Sequence, residues 1–226
     1  MEIAHAGPMI RPFHKRGRPV AVIHYQSEQA ARQFLQSVMA SNRGVGFLFG
    51  PDGSGKKTVI RDFVRQLPAN HAAAIVDGER LNAAELLAAI HSWFGRTVVP
   101  DTPEASLQAL ERYLAQQSHY GRVPLISVEN INKMYPSALG VLCKIAKLKV
   151  GRVFAARMVL DSENPTFNII NAPAMKPIAA RLLSAFEMGP MSVFETVDYL
   201  HAKLKAAGVK NPNHAMPAYI CDELYL

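Results

Sequence analysis

The residues best suited to chemistry are Gly50, Asp52, Gly53, Ser54, Gly55 and Lys56, in the run Gly50-Pro-Asp-Gly-Ser-Gly-Lys56. Glycines let successive backbone N–H groups turn inward and form a nest for an anion. A helix opening at Lys56 adds the partial positive charge of its N-terminus. The lysine adds a full charge. An apolar run, Val45 to Phe49, precedes the loop, and apolar residues at helical spacing follow it (Val59, Ile60, Phe63, Val64, Leu67). Strand, loop and helix in that order are the context a phosphate-binding loop requires. The expected ligand is the polyphosphate of ATP or ADP, with Lys56 at the β- and γ-phosphates. The plainer alternative, a glycine-rich turn that binds nothing, leaves the lysine and its context unexplained.

The next position departs from the pattern. Such a loop ordinarily places Ser or Thr after the lysine, because that hydroxyl coordinates Mg²⁺. Here Lys57 follows, and Thr58 comes one later. A helix turns by about 100° per residue, so Thr58 faces elsewhere, within reach of the α-phosphate at best. An ammonium at position 57 repels Mg²⁺ or takes its place. A second acidic motif belongs at the end of a central strand, where one acid orients Mg²⁺ and another polarises the attacking water. After Leu125-Ile-Ser-Val128 stand Glu129 and Asn130. Glu129 is the candidate Mg²⁺ residue, one methylene longer than Asp. Asn130 fills the general-base slot without a carboxylate to accept a proton. The expectation is a nucleotide binder that hydrolyses poorly, with Lys57 and Glu129 paired in place of the metal.

The elements that must position these residues follow from hydrophobic periodicity. Ser27–Ala40 reads as a helix, Val45–Phe49 as a buried strand, and Lys56–Leu67 as a helix. Ala73–Val76 reads as a second strand. Asn82 and Glu85 form a capping box for a helix ending at Gly95. Thr102, with Pro103 at the first helical position, opens another helix. Val123–Val128 and Arg157–Leu160 are strand candidates around a helix at Ser137–Leu148. Ala174–Leu183 is expected to be helical and Ala185–Met188 to be the last strand. Ser192 and Glu195 cap a helix running to Gly208, and a final helix begins at Ala218. Strands alternating with helices argue for a parallel α/β sheet of five strands with helices on both faces.

Composition narrows the class. The chain has 226 residues, of which 49% are hydrophobic and 19% charged, as in a globular protein. No apolar run reaches the roughly 18–20 residues of a spanning helix, and no signal-like segment opens the chain, so a cytoplasmic location is the default. Two cysteines far apart, Cys143 and Cys221, make no zinc cluster or disulfide framework. The eight histidines show no ligand spacing. Residues 1–24, rich in proline and basic side chains, read as an extended arm. Lys133, Lys144, Lys147, Lys149, Arg152 and Arg157 form a basic run with no intervening acid. That run is either a solvated face or a surface for nucleic acid or another anionic partner.

Taken in order, the motifs resemble the ExeA/GspA-like AAA+ ATPases of bacterial secretion and pilus assembly. The likeness runs from Tyr25-Gln-Ser27 through Gly44–Gly50 and the phosphate loop. It continues through Glu85–Ile90 and Gly121–Asn130 to Gly189–Thr196 and Tyr199–Gly208. Clamp-loader and transposition ATPases share much of this layout. The resemblance implies an AAA+ core at 25–190, a helical lid beginning at 191–226, and a sheet with the phosphate strand central. It also implies self-association, partners in a bacterial assembly, and a peripheral place at the inner membrane through a partner. It casts Asn164, or Ser162 if the alignment slips by two, as the sensor of the γ-phosphate. It casts Arg181 as an arginine finger acting on a neighbouring subunit; an ordinary surface arginine is the plain alternative.

Overall fold

The computed structural model describes residues 26–68, 71–96, 102–163, 170–217 and 220. Five apolar runs become strands: β1 (Val45–Phe49), β2 (Ala73–Asp77), β3 (Leu125–Glu129), β6 (Arg157–Ser162) and β7 (Leu182–Glu187). They pair in parallel in the order β2-β3-β6-β1-β7. β1, β3 and β6 are buried at every position, which is why their sequences run apolar without alternation.

Helices cover both faces. α1 (Gln26–Ala40) and α2 (Lys56–Gln66) supply Phe34, Leu35, Val38, Val59, Ile60 and Phe63 to one core layer, against Leu48, Ile75, Leu125 and Val159. α3 (Ala83–Trp93), α4 (Pro103–His119) and α5 (Pro136–Lys147) cover the opposite face. The capping box at Asn82 and Glu85 forms as expected, and Thr102 caps α4 through its hydroxyl. The chain divides into two units, Glu28–Pro190 and a smaller one built from residues on either side of it. The smaller unit holds α7 (Val193–Ala206), opened by the Ser192–Glu195 capping box, and the short α8 (Pro212–Ala215).

Two expectations change. The helix read over Ala174–Leu183 shrinks to a 3₁₀ turn and the short α6 (Lys176–Ala179), because β7 already begins at Leu182. Between α5 and β6 lies an unforeseen hairpin, β4 (Lys149–Val150) with β5 (Val153–Phe154), turning at Gly151. The helix expected from Ala218 falls almost wholly outside the described residues.

In a parallel sheet all strands end on one edge, and ligands settle in the crevice beyond it. The strand register aligns that edge here: Asp77 stands opposite Glu129, and Phe49 lies between Ser162 and Glu187.

Candidate functional site

The loop after β1 is shaped for an anion. Gly55 has φ +92°, a left-handed conformation that disfavours any side chain, and it hands the chain directly into α2. No side chain caps the first turn of α2, whereas Asn82, Thr102 and Ser192 cap α3, α4 and α7. The uncapped N–H groups and the helix dipole therefore face the loop. Gly50 is fixed by a close approach: a Cβ there would lie 2.1 Å from the Met188 carbonyl oxygen. Asp52 and Gly53 are exposed and Ser54 is buried.

Lys56 is only 5% exposed, and its ammonium folds back on its own loop. It donates to the Gly50 carbonyl at 2.7 Å and to the Pro51 carbonyl at 2.9 Å. These partners are neutral and local, so an arriving phosphate exchanges two amide carbonyls for a full negative charge.

Beside this loop Lys57 and Glu129 lie close together, and further charged side chains surround them. The Lys57 ammonium lies 3.6 Å from Glu129 Oε2 and 3.7 Å from Asp77 Oδ2. Arg61, one turn further along α2, places its guanidinium 3.5 Å from the same Glu129 oxygen. Asp77 also accepts a 2.7 Å hydrogen bond from the Asn130 side-chain amide. Asn130 has φ +55°, so its backbone is left-handed where β3 ends. A carboxylate, that of Asp77, thus stands on the adjacent strand at hydrogen-bonding distance from the Asn130 side chain.

Burial sets the ionisation of these acids. Glu129 is fully buried, which raises its pKa, and Arg61 and Lys57 pull against that. Burial also acts on Asp77, but the Asn130 amide, the Glu79 backbone and Lys57 outweigh it and hold it below the ordinary carboxylate value. Asp161, on β6, went unnoticed in the sequence. It has no solvent exposure, and burial pushes its pKa up to about 6 against the pull of Lys56. One of its oxygens accepts weakly from the Asn130 backbone N–H at 3.4 Å, and the other has no partner among the described residues. Its signal was an aspartate directly after an apolar stretch of a buried strand, Met158-Val-Leu-Asp161.

Magnesium is the ion such a loop ordinarily works with, and the residues here do not fit it. Lys57 stands where the hydroxyl ligand belongs. Thr58 is exposed on α2, and two side-chain cations, Lys57 and Arg61, already lie within 3.6 Å of Glu129 Oε2. Among the described residues no three His, Cys, Asp or Glu side chains gather to hold a metal.

Other expected residues fall differently. Ser162 ends β6 with a buried hydroxyl that has no partner among the described residues, and its carbonyl accepts from the Gly50 N–H at 3.3 Å. Asn164 lies outside the described residues. Arg181 is neither an exposed finger nor a surface arginine in this fold: it is buried, with 2% exposure. Its guanidinium donates to the carbonyls of Arg43, Ala146 and Ala156 at 2.7–2.8 Å, with the Phe154 ring 4.0 Å away. The basic run likewise makes no single face. Arg157 is buried, Lys133 pairs with Glu163, and Lys149 lies over the Phe154 ring. Cys143 is buried and donates to the Ala174 carbonyl, a core role.

A parallel five-stranded sheet with a phosphate loop after its β1 strand defines an AAA+ P-loop nucleotide-binding fold. The AAA domain family model matches residues 38–160, and the chain belongs to that family. It is 25% identical over 194 residues to general secretion pathway protein A of Aeromonas hydrophila, covering 83% of this chain and 35% of that protein. The chain thus spans about a third of that relative's length, and the resemblance read from the motifs is met. Among solved structures, the ADP form of the Aeropyrum pernix ORC2 protein matches with a TM-score of 0.72 at 14% identity, over 94% of this chain and 60% of that one. Cdc6p from Pyrobaculum aerophilum matches with a TM-score of 0.66 at 14% identity, over 84% and 52%. At these identities the likeness concerns the fold. No helix among the described residues is long and apolar enough to cross a membrane.

Proposed function

We propose that this protein binds ATP or ADP through the loop at Gly50–Lys56 and hydrolyses ATP slowly or not at all on its own. In this reading it acts as a regulatory or scaffolding subunit of a multiprotein assembly of the secretion or pilus kind. One observation carries the weak hydrolysis. The cations Lys57 and Arg61 sit on Glu129, and an amide occupies the general-base position at Asn130. Binding needs only the nest, the helix terminus and Lys56, all of which are present. Residues 191–226 are then assigned to a helical lid, and the basic composition of 1–24 to an N-terminal arm. Self-association and the choice of partner rest on the secretion relative. The test is titration calorimetry with ATP and ADP beside a phosphate-release assay. Binding without steady release supports the reading, and no detectable binding at millimolar nucleotide sinks it.

The Asp77–Asn130 contact favours a second reading, in which the protein is a working ATPase with its base moved to β2. Asp77 is half-exposed, charged and at the sheet edge. This reading expects phosphate release that Asp77→Asn abolishes while ATP affinity holds. The nucleic-acid alternative would draw on Lys144, Lys147, Lys149 and Arg152, all of them exposed. It expects duplex affinity that falls steeply with salt.

A further inference from the structure

We infer that the counter-ion of the bound polyphosphate is built into the chain: the Lys57 ammonium, with Arg61 beside it, replaces the divalent metal, so nucleotide binding is independent of magnesium. This rests on the nucleotide-binding reading above and concerns what neutralises the ligand there.

A triphosphate needs positive charge on two sides. Lys56 supplies one, held inside the loop by the Gly50 and Pro51 carbonyls. The second is ordinarily a metal gripped between the residue after the lysine and the acid at the end of the strand beyond. In this chain those two positions grip each other, Lys57 to Glu129 at 3.6 Å. Arg61 adds a second contact to the same oxygen, and Asp77 a second to Lys57. An incoming Mg²⁺ would have to share Glu129 with two cations already on its Oε2, and like charges at such distances repel strongly. It would also lack the hydroxyl that anchors it, because Thr58 faces out.

The Lys57 side chain is only partly buried, at 38% exposure, and lies one residue into α2. It belongs to the same first turn of α2 as Lys56, and its ammonium stands between Glu129 and Asp77 at the ends of β3 and β2. Glu129 and Asp77 act as its tether, fixing a flexible side chain near the phosphates before the ligand arrives. The ligand class that fits is a free nucleoside triphosphate or diphosphate, with no bound metal.

The test uses the full chain and titration calorimetry with ATP, in EDTA and in millimolar Mg²⁺. The inference expects the two dissociation constants to agree within about threefold. In Lys57→Thr, affinity in EDTA should fall about tenfold or more and Mg²⁺ should now improve it. Lys57→Gln, which cannot ligate the metal as Thr can, should lose affinity in both buffers, and thermal melts identify any variant that fails to fold. Wild-type binding tighter by about tenfold in Mg²⁺ than in EDTA overturns the inference and leaves nucleotide binding standing. Absence of binding in both buffers overturns the nucleotide reading, and this inference with it.

Discussion

Lys56 and Arg181 are both buried cations at strand or helix boundaries, and they are held in opposite ways. Arg181 satisfies its guanidinium with three carbonyls from distant parts of the chain, the loop before β1, α5 and the approach to β6. Lys56 bonds only within its own loop, to the carbonyls five and six residues before it and, at 3.5 Å, to the Ser54 hydroxyl. The first arrangement ties elements together and leaves nothing to exchange. The second costs the fold little to give up, so a ligand can take it. Burial of a charge therefore does not mark a functional residue; the sequence distance of its partners does.

That contrast can be broken by substitution. Arg181→Ala should leave three buried carbonyls without donors and lower stability by roughly 3–5 kcal/mol in urea unfolding. Arg181→Lys should recover little of it, because one ammonium cannot span three acceptors in a fork. Lys56→Ala should do the reverse, weakening ATP binding about 100-fold while the urea midpoint barely moves. If the two variants show the same pattern, the distinction fails.

Asp161 sharpens the comparison from the acidic side. Its pKa rises from an ordinary carboxylate value to about 6 on folding, chiefly through burial. The folded state thus prefers the protonated form. The stability this contributes is complete below about pH 4 and is lost as pH rises through about 6. Asp161→Asn should therefore stabilise the protein by about 1–3 kcal/mol at pH 8 and have little effect at pH 4. Equal shifts at both values would mean that the carboxyl is not held neutral. The smallest effect is expected at Asn130. Asn130→Ala removes the hydrogen bond to Asp77 and places a less tolerant residue at φ +55°, for about 1 kcal/mol. Asn130→Gly should cost less, since glycine takes that conformation without strain.

The phosphate loop and the five strands were legible because each depends on a contiguous stretch. A run such as Val45–Phe49 is buried on both faces, so its apolar character needs no partner to be read. The Lys57–Glu129 pair was also legible, because two lesions of opposite charge fell on one known geometry. The Asp77–Asn130 bond was not, since it joins residues 53 positions apart whose meeting depends on the register of β2 against β3. Arg181 was misread because its sequence neighbours resemble those of an exposed arginine, and its carbonyl partners leave no trace in side-chain types. The hairpin at Lys149–Phe154 escaped because strands of two residues carry no periodicity.

One detail at Gly50 has a practical outcome. Its α-carbon is pressed under the Met188 carbonyl, and the Met188 amide donates to Phe49 at 2.7 Å, immediately before the loop. Met188 is therefore held by its N–H on Phe49 and packs its carbonyl against Gly50, beside the segment proposed to receive phosphate. Its amide proton is a built-in probe: hydrogen–deuterium exchange there reports occupancy of the loop with no label attached and no change to the sequence.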